Sequence, residues 1–186
     1  MQSLKLFICF VLVFGTISVS NTKELNDHDK ANIERVVMGY ADAVNRNNYD
    51  VVVARVPQEV RQAIAEYSLM DKSAINGVLA RELELQHSIM QISDMTIDFS
   101  QIQYGSLNSE IPYFKVPVVY QFVDSTGKVV KATTELFGIL KEGAWYMVRT
   151  DDDFIFNLWQ QQFPNMKNIE IKEPTYTILP TPPVND

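Results

Sequence analysis

The spacing of apolar residues changes once along this chain, near Ile89, and this change limits what the chain can fold into. Before Ile89 the apolar side chains recur at intervals of three and four residues, which is the period of a helix. After Ile89 they alternate with polar side chains, which is the period of a half-buried strand. Helices followed by consecutive strands are typical of α+β domains. We therefore expect N-terminal helices packed on a curved antiparallel sheet of four or more strands.

The N-terminal half contains four segments with helical character. The expected bounds are about 29–45, 49–56, 57–67 and 71–87. The second segment is ambiguous, because three successive valines favour an extended chain while a short helix running up to Pro57 fits equally. We favour the helix, and Pro57 then suits the first turn of the third segment.

The C-terminal half is predicted to form a meander of strands joined by tight turns. The expected strands are residues 95–100, 113–123, 128–140 and 145–149, and the turn clusters are residues 105–108, 124–127 and 141–143. Strands joined by tight turns run antiparallel. Pro112 and Pro117 each remove a donor of the ladder, so we expect them to face a bulge or an unpaired stretch.

A short amphipathic helix is expected after the last of these strands. Thr150 and Asp153 have the spacing of a capping box, and the helix should end before Pro164. Its apolar stripe covers either its own sheet, which we favour, or another subunit. Residues 21–163 are thus expected to form one domain, and residues 164–186 a proline-containing extended tail, part of which docks.

The first twenty residues have the features of a secretory signal peptide. Lys5 precedes an apolar run from Leu6 to Val13, and the small residues Ser18 and Ser20 mark a cleavage point. We expect a secreted or periplasmic protein whose mature part begins near Asn21. The single cysteine, Cys9, lies in the leader, so neither a disulfide nor a lipid anchor is expected.

Charge and composition disfavour several classes of function. The formal net charge is −7, and no Lys/Arg cluster is present, so nucleic acid is not an expected partner. No second apolar run of membrane-spanning length follows the leader, so membrane insertion is not expected. His28 and His87 are the only histidines, and no cofactor motif occurs, so we predict neither a metal site nor a cofactor. The acidic run 151–153 is interpreted as helix capping and not as a calcium site.

The order of these parts resembles the NTF2-like superfamily, a cystatin-like α+β cone, from about Asp27 to Thr150. The resemblance is carried by the Asn-Asn-Tyr-Asp turn at 47–50, by Asp-Ser-Thr-Gly at 124–127, and by Lys-Glu-Gly-Ala-Trp-Tyr-Met-Val at 141–148. It implies a cone-shaped cavity between the sheet and the first helix. In that family such a cavity hosts ligand binding, occasional acid/base or hydrolytic catalysis, or nothing, and members often dimerise through the outer face of the sheet.

Aromatic and acidic side chains on the elements around such a cavity are the candidate site residues. These ligand-binding candidates are Tyr40, Tyr67, Tyr113, Tyr120, Glu135 and Trp145. Each also has an ordinary structural interpretation, since Tyr120 and Trp145 fit a core and Glu135 fits a solvated face. We expect an exported binding protein that holds a small apolar molecule in the cavity or a protein partner on the sheet. The alternative is a small acid/base enzyme, of isomerase or dehydratase type, in which Glu135 or Asp94 lies close to a tyrosine hydroxyl. No catalytic residue is assigned.

Overall fold

A computed structural model of the protein describes residues 25–108 and 110–180. The predicted signal peptide and its cleavage point lie outside these residues. In the part of the chain that the structure describes, four α-helices come first, then a sheet of six strands, with a fifth α-helix between the last two strands. The predicted α+β class, with N-terminal helices on an antiparallel sheet, is confirmed, and the arrangement is consistent with a cone-like fold.

The helices lie close to the segments that the apolar spacing indicates. They are α1 (Asp27–Asn45), α2 (Tyr49–Ala54), α3 (Gln58–Tyr67), α4 (Ile75–Met90) and α5 (Asp153–Gln162). A capping box formed by Asn26 and Asp29 begins α1. The ambiguous second segment is helical, because Val52 and Val53 are both buried and a helix places neighbouring residues on the same broad face.

The sheet is built on one long hairpin. Its strands are β1 (Thr96–Ile97), β2 (Gln103–Leu107), β3 (Ile111–Val123), β4 (Val129–Lys141), β5 (Ala144–Arg149) and β6 (Thr175–Ile178). The β3 and β4 strands pair from Tyr113 opposite Ile139 to Val123 opposite Val129. Along the edge that faces away from β4, β3 pairs with β1 and β2. Along the edge that faces away from β3, β4 pairs with β5 and β6. All pairings are antiparallel.

The predicted turn at residues 105–108 is wrong, because most of it belongs to β2. Gly105 pairs with Tyr113 on β3. A Cβ atom at Gly105 would lie 2.5 Å from atoms of the Tyr113 ring, so the glycine is required by a close approach and not by a turn. The first predicted strand is correspondingly shorter, since residues Phe99–Gln101 form a 3-10 helix that leads into β2.

Pro117 occupies a place where the sheet needs no donor. Its carbonyl oxygen accepts a hydrogen bond from the Asp98 N–H at 3.0 Å. The N and O atoms of one antiparallel strand residue point to the same side, so the missing N–H of Pro117 faces the break between β1 and β2. Pro112 lies one residue beyond the part of β3 that pairs with β4. The expected unpaired stretch is therefore the gap between two edge strands.

Both faces of the hairpin are buried. On the first face, Phe114 and Trp145 pack with the apolar stripe of α1. On the second face, Phe137 packs edge-on against Trp159 of α5, with ring centroids 6.4 Å apart. The apolar stripe of α5 thus covers its own sheet, which is the option that we favoured. The expected capping box of α5 is wrong, because Asp152 caps the helix and the Thr150 hydroxyl instead bonds the Thr134 hydroxyl at 3.0 Å.

The C-terminal segment closes over the second face. Residues Pro164–Asn168 form a 3-10 helix, and β6 pairs with β4. Two buried charged side chains of the sheet bind the backbone of this segment. Lys115 donates to the Glu170 carbonyl, and Glu135 accepts from the Lys172 N–H at 3.0 Å. Among the described helices, none has both the length and the apolar character that a membrane crossing requires.

The close packing of Phe114 on Gly138 predicts a specific weakness of the sheet. A Cβ atom at Gly138 would lie 2.3 Å from a Phe114 ring carbon, and that ring is fully buried. We expect Gly138→Ala to lower the free energy of unfolding by about 1 to 3 kcal/mol, as overpacking does. Urea unfolding followed by circular dichroism measures the change.

Gly39→Ala is the matched control. Gly39 is an exposed position of α1 with no atom within 4 Å of an added Cβ. Alanine there should raise the free energy of unfolding by about 0.5 to 1 kcal/mol, because it favours the helix. Equal effects of the two substitutions would contradict the packing argument.

Candidate functional site

A cavity of about 390 Å³ lies between the helices and the edge of β5. Each of the helices α1 to α5 contributes to its wall, and β5 supplies Met147, Val148 and Arg149. Most of the lining is aliphatic. The aliphatic residues are Val44, Val52, Val53, Val56, Ile64, Met70, Val78, Leu79, Leu83, Ile92, Met147, Val148 and Ile155. A hollow of this volume with apolar walls is typical of small-molecule sites.

The edge of β5 positions the inner wall. The Met147 N–H donates to the Arg55 carbonyl at 2.8 Å, so the connection between α2 and α3 occupies the edge where a further strand would pair. The Arg55 guanidinium also donates to the Trp145 carbonyl at 3.4 Å. These bonds fix α2 and α3 beside the sheet, and the side chains of Val53 and Ile64 therefore face the cavity.

The α4 helix forms the outer wall. Ile75 is its one fully buried residue, whereas Leu79 and Leu83 are half-buried and line the cavity. Glu82 and Gln86, one turn apart on α4, are exposed although they line the cavity, as are Ser68 and Phe154 across from them. The mouth therefore lies between α4 and the start of α5.

One end of the cavity is polar and largely enclosed. Tyr40 of α1, Arg149 at the end of β5 and Asp152 at the start of α5 all contribute to its lining. Arg149 Nε lies 3.3 Å from Asp151 Oδ1, and the guanidinium carbon lies 5.0 Å from the centroid of the Tyr120 ring. The Tyr120 hydroxyl donates to the other Asp151 oxygen. An ion pair with a stacked aromatic ring thus supports this end.

Burial and charge set the protonation states there. Burial raises the pKa of the Tyr40 and Tyr120 hydroxyls, so both stay neutral donors. Burial acts to lower the pKa of Arg149, but the neighbouring carboxylates, Asp151 first, outweigh it and raise that pKa overall. Burial also raises the pKa of Asp152, although the Ile155 N–H and Arg149 oppose the shift. Arg149 therefore stays charged.

Of the six candidates from the sequence, Tyr40 lines this cavity. Tyr120 lies behind its polar end and reaches the site through Asp151. Trp145 is buried in the core of the first face, where its ring centroid lies 5.3 Å from that of Phe114. The other three lie elsewhere: Tyr67 is 74% exposed beside Phe154, and Tyr113 and Glu135 are on the second face.

Sequence reasoning missed the two charged residues at the polar end. Trp145, Met147 and Arg149 alternate along β5, and the first two are buried on the first face. Arg149 continues this series of inward-facing positions, and a charged residue at such a position indicates a functional or paired charge, which was the available signal. Asp152 carried no comparable signal, because its place depends on where α5 begins.

The three acidic residues that follow β5 have separate roles. Asp151 pairs with Arg149, Asp152 caps α5 by accepting from the Ile155 N–H at 3.0 Å, and Asp153 lies in the first helical turn. Within the described part of the chain, no three His, Cys, Asp or Glu side chains group closely enough to hold a metal ion.

Comparisons of this chain with models of known protein families, with curated proteins and with solved structures gave no match. The function of this chain is therefore inferred from the geometry of the cavity.

The partly buried carboxylate of Asp152 predicts an unusual effect of removing a charge. Asparagine keeps an oxygen that can accept the Ile155 N–H but carries no charge. Because burial raises the pKa of Asp152 on folding, its ionised form opposes folding above that pKa, and the opposition disappears as the pH falls through it. We expect Asp152→Asn to stabilise the protein near neutral pH, with the gain shrinking in acid. Urea unfolding of the parent and the variant, once near neutral pH and once in acid, measures the difference in their free energies of unfolding.

Asp124→Asn is the control of opposite sign. Hydrogen bonds from Thr126 and from the Lys128 N–H lower the pKa of Asp124. Its ionised form therefore favours folding above the unfolded-state pKa, and this contribution is lost as the pH falls through the folded-state value. Asp124→Asn should destabilise the protein near neutral pH. A change of the same sign in both variants would contradict the assignment.

Proposed function

We propose that this chain is an exported binding protein that holds a small, largely apolar molecule in the cavity between the helices and β5. The observation that carries the proposal is the cavity itself: about 390 Å³, mostly aliphatic walls, and an inner end where Tyr40, Arg149 and Asp152 contribute to the lining. Binding sites for small molecules combine these features, because apolar walls supply affinity and a few polar groups fix orientation.

Export is proposed from the leader alone. Lys5, the apolar run Leu6 to Val13 and the small residues that end at Ser20 are the features that secretion signals share. Cys9 is the single cysteine and lies within that leader. A fold that needs no disulfide is compatible with a secreted or periplasmic compartment.

We also propose an architectural kinship with the NTF2-like superfamily. The order of helices followed by a meander supports it, as does the Asn-Asn-Tyr-Asp sequence, in which Asn47 and Asn48 form the turn between α1 and α2 and Tyr49 begins α2. The cavity is displaced from the place that the resemblance implies. Ile33 and Val37 of α1 are fully buried on the sheet, so the hollow lies beyond them, along the C-terminal half of α1 and beneath α4.

A small molecule is favoured over the other candidate functions by the placement of two groups. Glu135, the carboxylate proposed for an acid/base enzyme, accepts from the Lys172 N–H on the second face, away from the cavity. The apolar stripe of α5, proposed for a partner or a second subunit, packs on Phe137 and its neighbours. Asp152 and Glu82 are the carboxylates that line the cavity. Asp152 caps α5 and Glu82 is exposed at the mouth, which disfavours the role of general base for either.

A cavity-filling substitution tests the proposal. Leu83 is half-buried and lines the cavity, so Leu83→Trp should place an indole ring inside it. The neutral fluorophore N-phenylnaphthylamine serves as the probe, titrated into the mature protein and followed by its emission. We expect saturable binding to the parent and at least about a tenfold higher Kd in the variant, because the ring takes the space of the probe.

Leu85→Trp is the matched control on the same helix. Leu85 is 51% exposed and does not line the cavity. Its substitution should leave the Kd within about twofold of the parent value. Absence of saturable binding to the parent, or equal losses in both variants, would refute binding in this cavity.

A further inference from the structure

We infer that the ligand of this cavity is an uncharged molecule with a hydrocarbon body and one oxygen acceptor, such as a ketone or ester carbonyl, at the end that enters first. The inference rests on the proposed function and names the class of ligand. Its basis is the juxtaposition of the Tyr40 hydroxyl and the Arg149 guanidinium at the enclosed end of the cavity.

The first argument is an excess of donors. Tyr40 is 6% exposed, and its hydroxyl has no side-chain hydrogen-bond partner among residues 25–108 and 110–180. Arg149 contacts Asp151 through Nε, and its two terminal nitrogens have no hydrogen-bond partner among the same residues. The Arg149 side chain is 23% exposed, so an acceptor on a ligand that enters this end would take the place of water at one or both of these donors.

The second argument is charge balance. The Asp151 side chain is 4% exposed and neutralises Arg149, and Asp152 adds a second carboxylate to the same end. A ligand carboxylate would bring a third negative charge to a single guanidinium, and a ligand ammonium would face that guanidinium directly. An uncharged acceptor avoids both costs.

The third argument is the distribution of polarity along the cavity. The Tyr40–Arg149 end lies against α1 and the end of β5, whereas the exposed lining residues Glu82 and Gln86 mark the mouth. Aliphatic side chains from α2, α3 and α4 lie between the two. A ligand that satisfies both regions carries its acceptor at one end and hydrocarbon behind it.

Three probes of similar length separate these properties. Methyl hexyl ketone, octane and octanoate are each used to displace N-phenylnaphthylamine from the mature protein. The ketone should displace the fluorophore at the lowest concentration, with an affinity about threefold to tenfold above that of octane, as one hydrogen bond supplies. Octanoate should be the weakest, because its charge must be desolvated beside two carboxylates.

Tyr40→Phe removes the donor and keeps the ring. It should lower the affinity for the ketone to about that of octane and leave octane unchanged. Tyr49→Phe is the matched control, since Tyr49 also lines the cavity but its hydroxyl already donates to Asn47 Oδ1 at 2.8 Å. That variant should keep the preference for the ketone.

The possible results separate the two proposals. If the ketone and octane bind equally, or octanoate binds best, the inference about the ligand class is wrong and the cavity remains a binding site. If neither the fluorophore nor any of the three probes binds, both proposals are wrong. Should Tyr40→Phe fail to fold, the order of the three probes on the parent protein still decides the matter.

Discussion

The pairing of β3 with β4 is the constraint on which the rest of the structure depends. The two strands contain 13 residues each and are buried on both faces, as the six consecutive buried residues 134–139 show. Neighbouring strand residues point to opposite faces, so such a hairpin cannot be stable until both faces are covered. The first face is covered by α1, and the second by α5 and the C-terminal segment. Lys115 and Glu135 can be buried because that segment supplies their hydrogen-bond partners.

The cavity follows from the short length of β5. This strand has six residues, and the connection between α2 and α3 occupies its outer edge through the bond from Met147 to Arg55. The α2 and α3 helices therefore lie beside the edge of the sheet, and α4 closes the cavity between them and β5 with its half-buried residues Leu79 and Leu83. Where β5 ends, Arg149 meets Asp151 and the start of α5. The polar end thus forms at the point where the chain leaves the sheet, and an aliphatic space lies next to it.

Much of the fold could be predicted from the sequence, and less of the site. The stripe that includes Ile33 and Val37 predicts α1, and the change to alternation near Ile89 predicts the meander. The β2 strand was missed because Gly105 resembles a turn residue until the Tyr113 ring is seen to lie across it. Tyr40 was a candidate because it continues the stripe of α1, whereas Glu135 was assigned to the wrong face for a cavity residue. A shift of one residue in the strand register would place Glu135 on the opposite face of the sheet.

The sequence by itself determined the order and type of the elements, the antiparallel sense of the sheet and the presence of a leader-like segment. These properties depend on backbone periods and on short runs of residues, which can be recognised locally. The tertiary structure alone decided where the cavity lies, which face Glu135 occupies and that Tyr40 and Arg149 line the same cavity. Those facts join residues that are far apart along the chain, and they depend on how elements pack when both faces of the hairpin are covered.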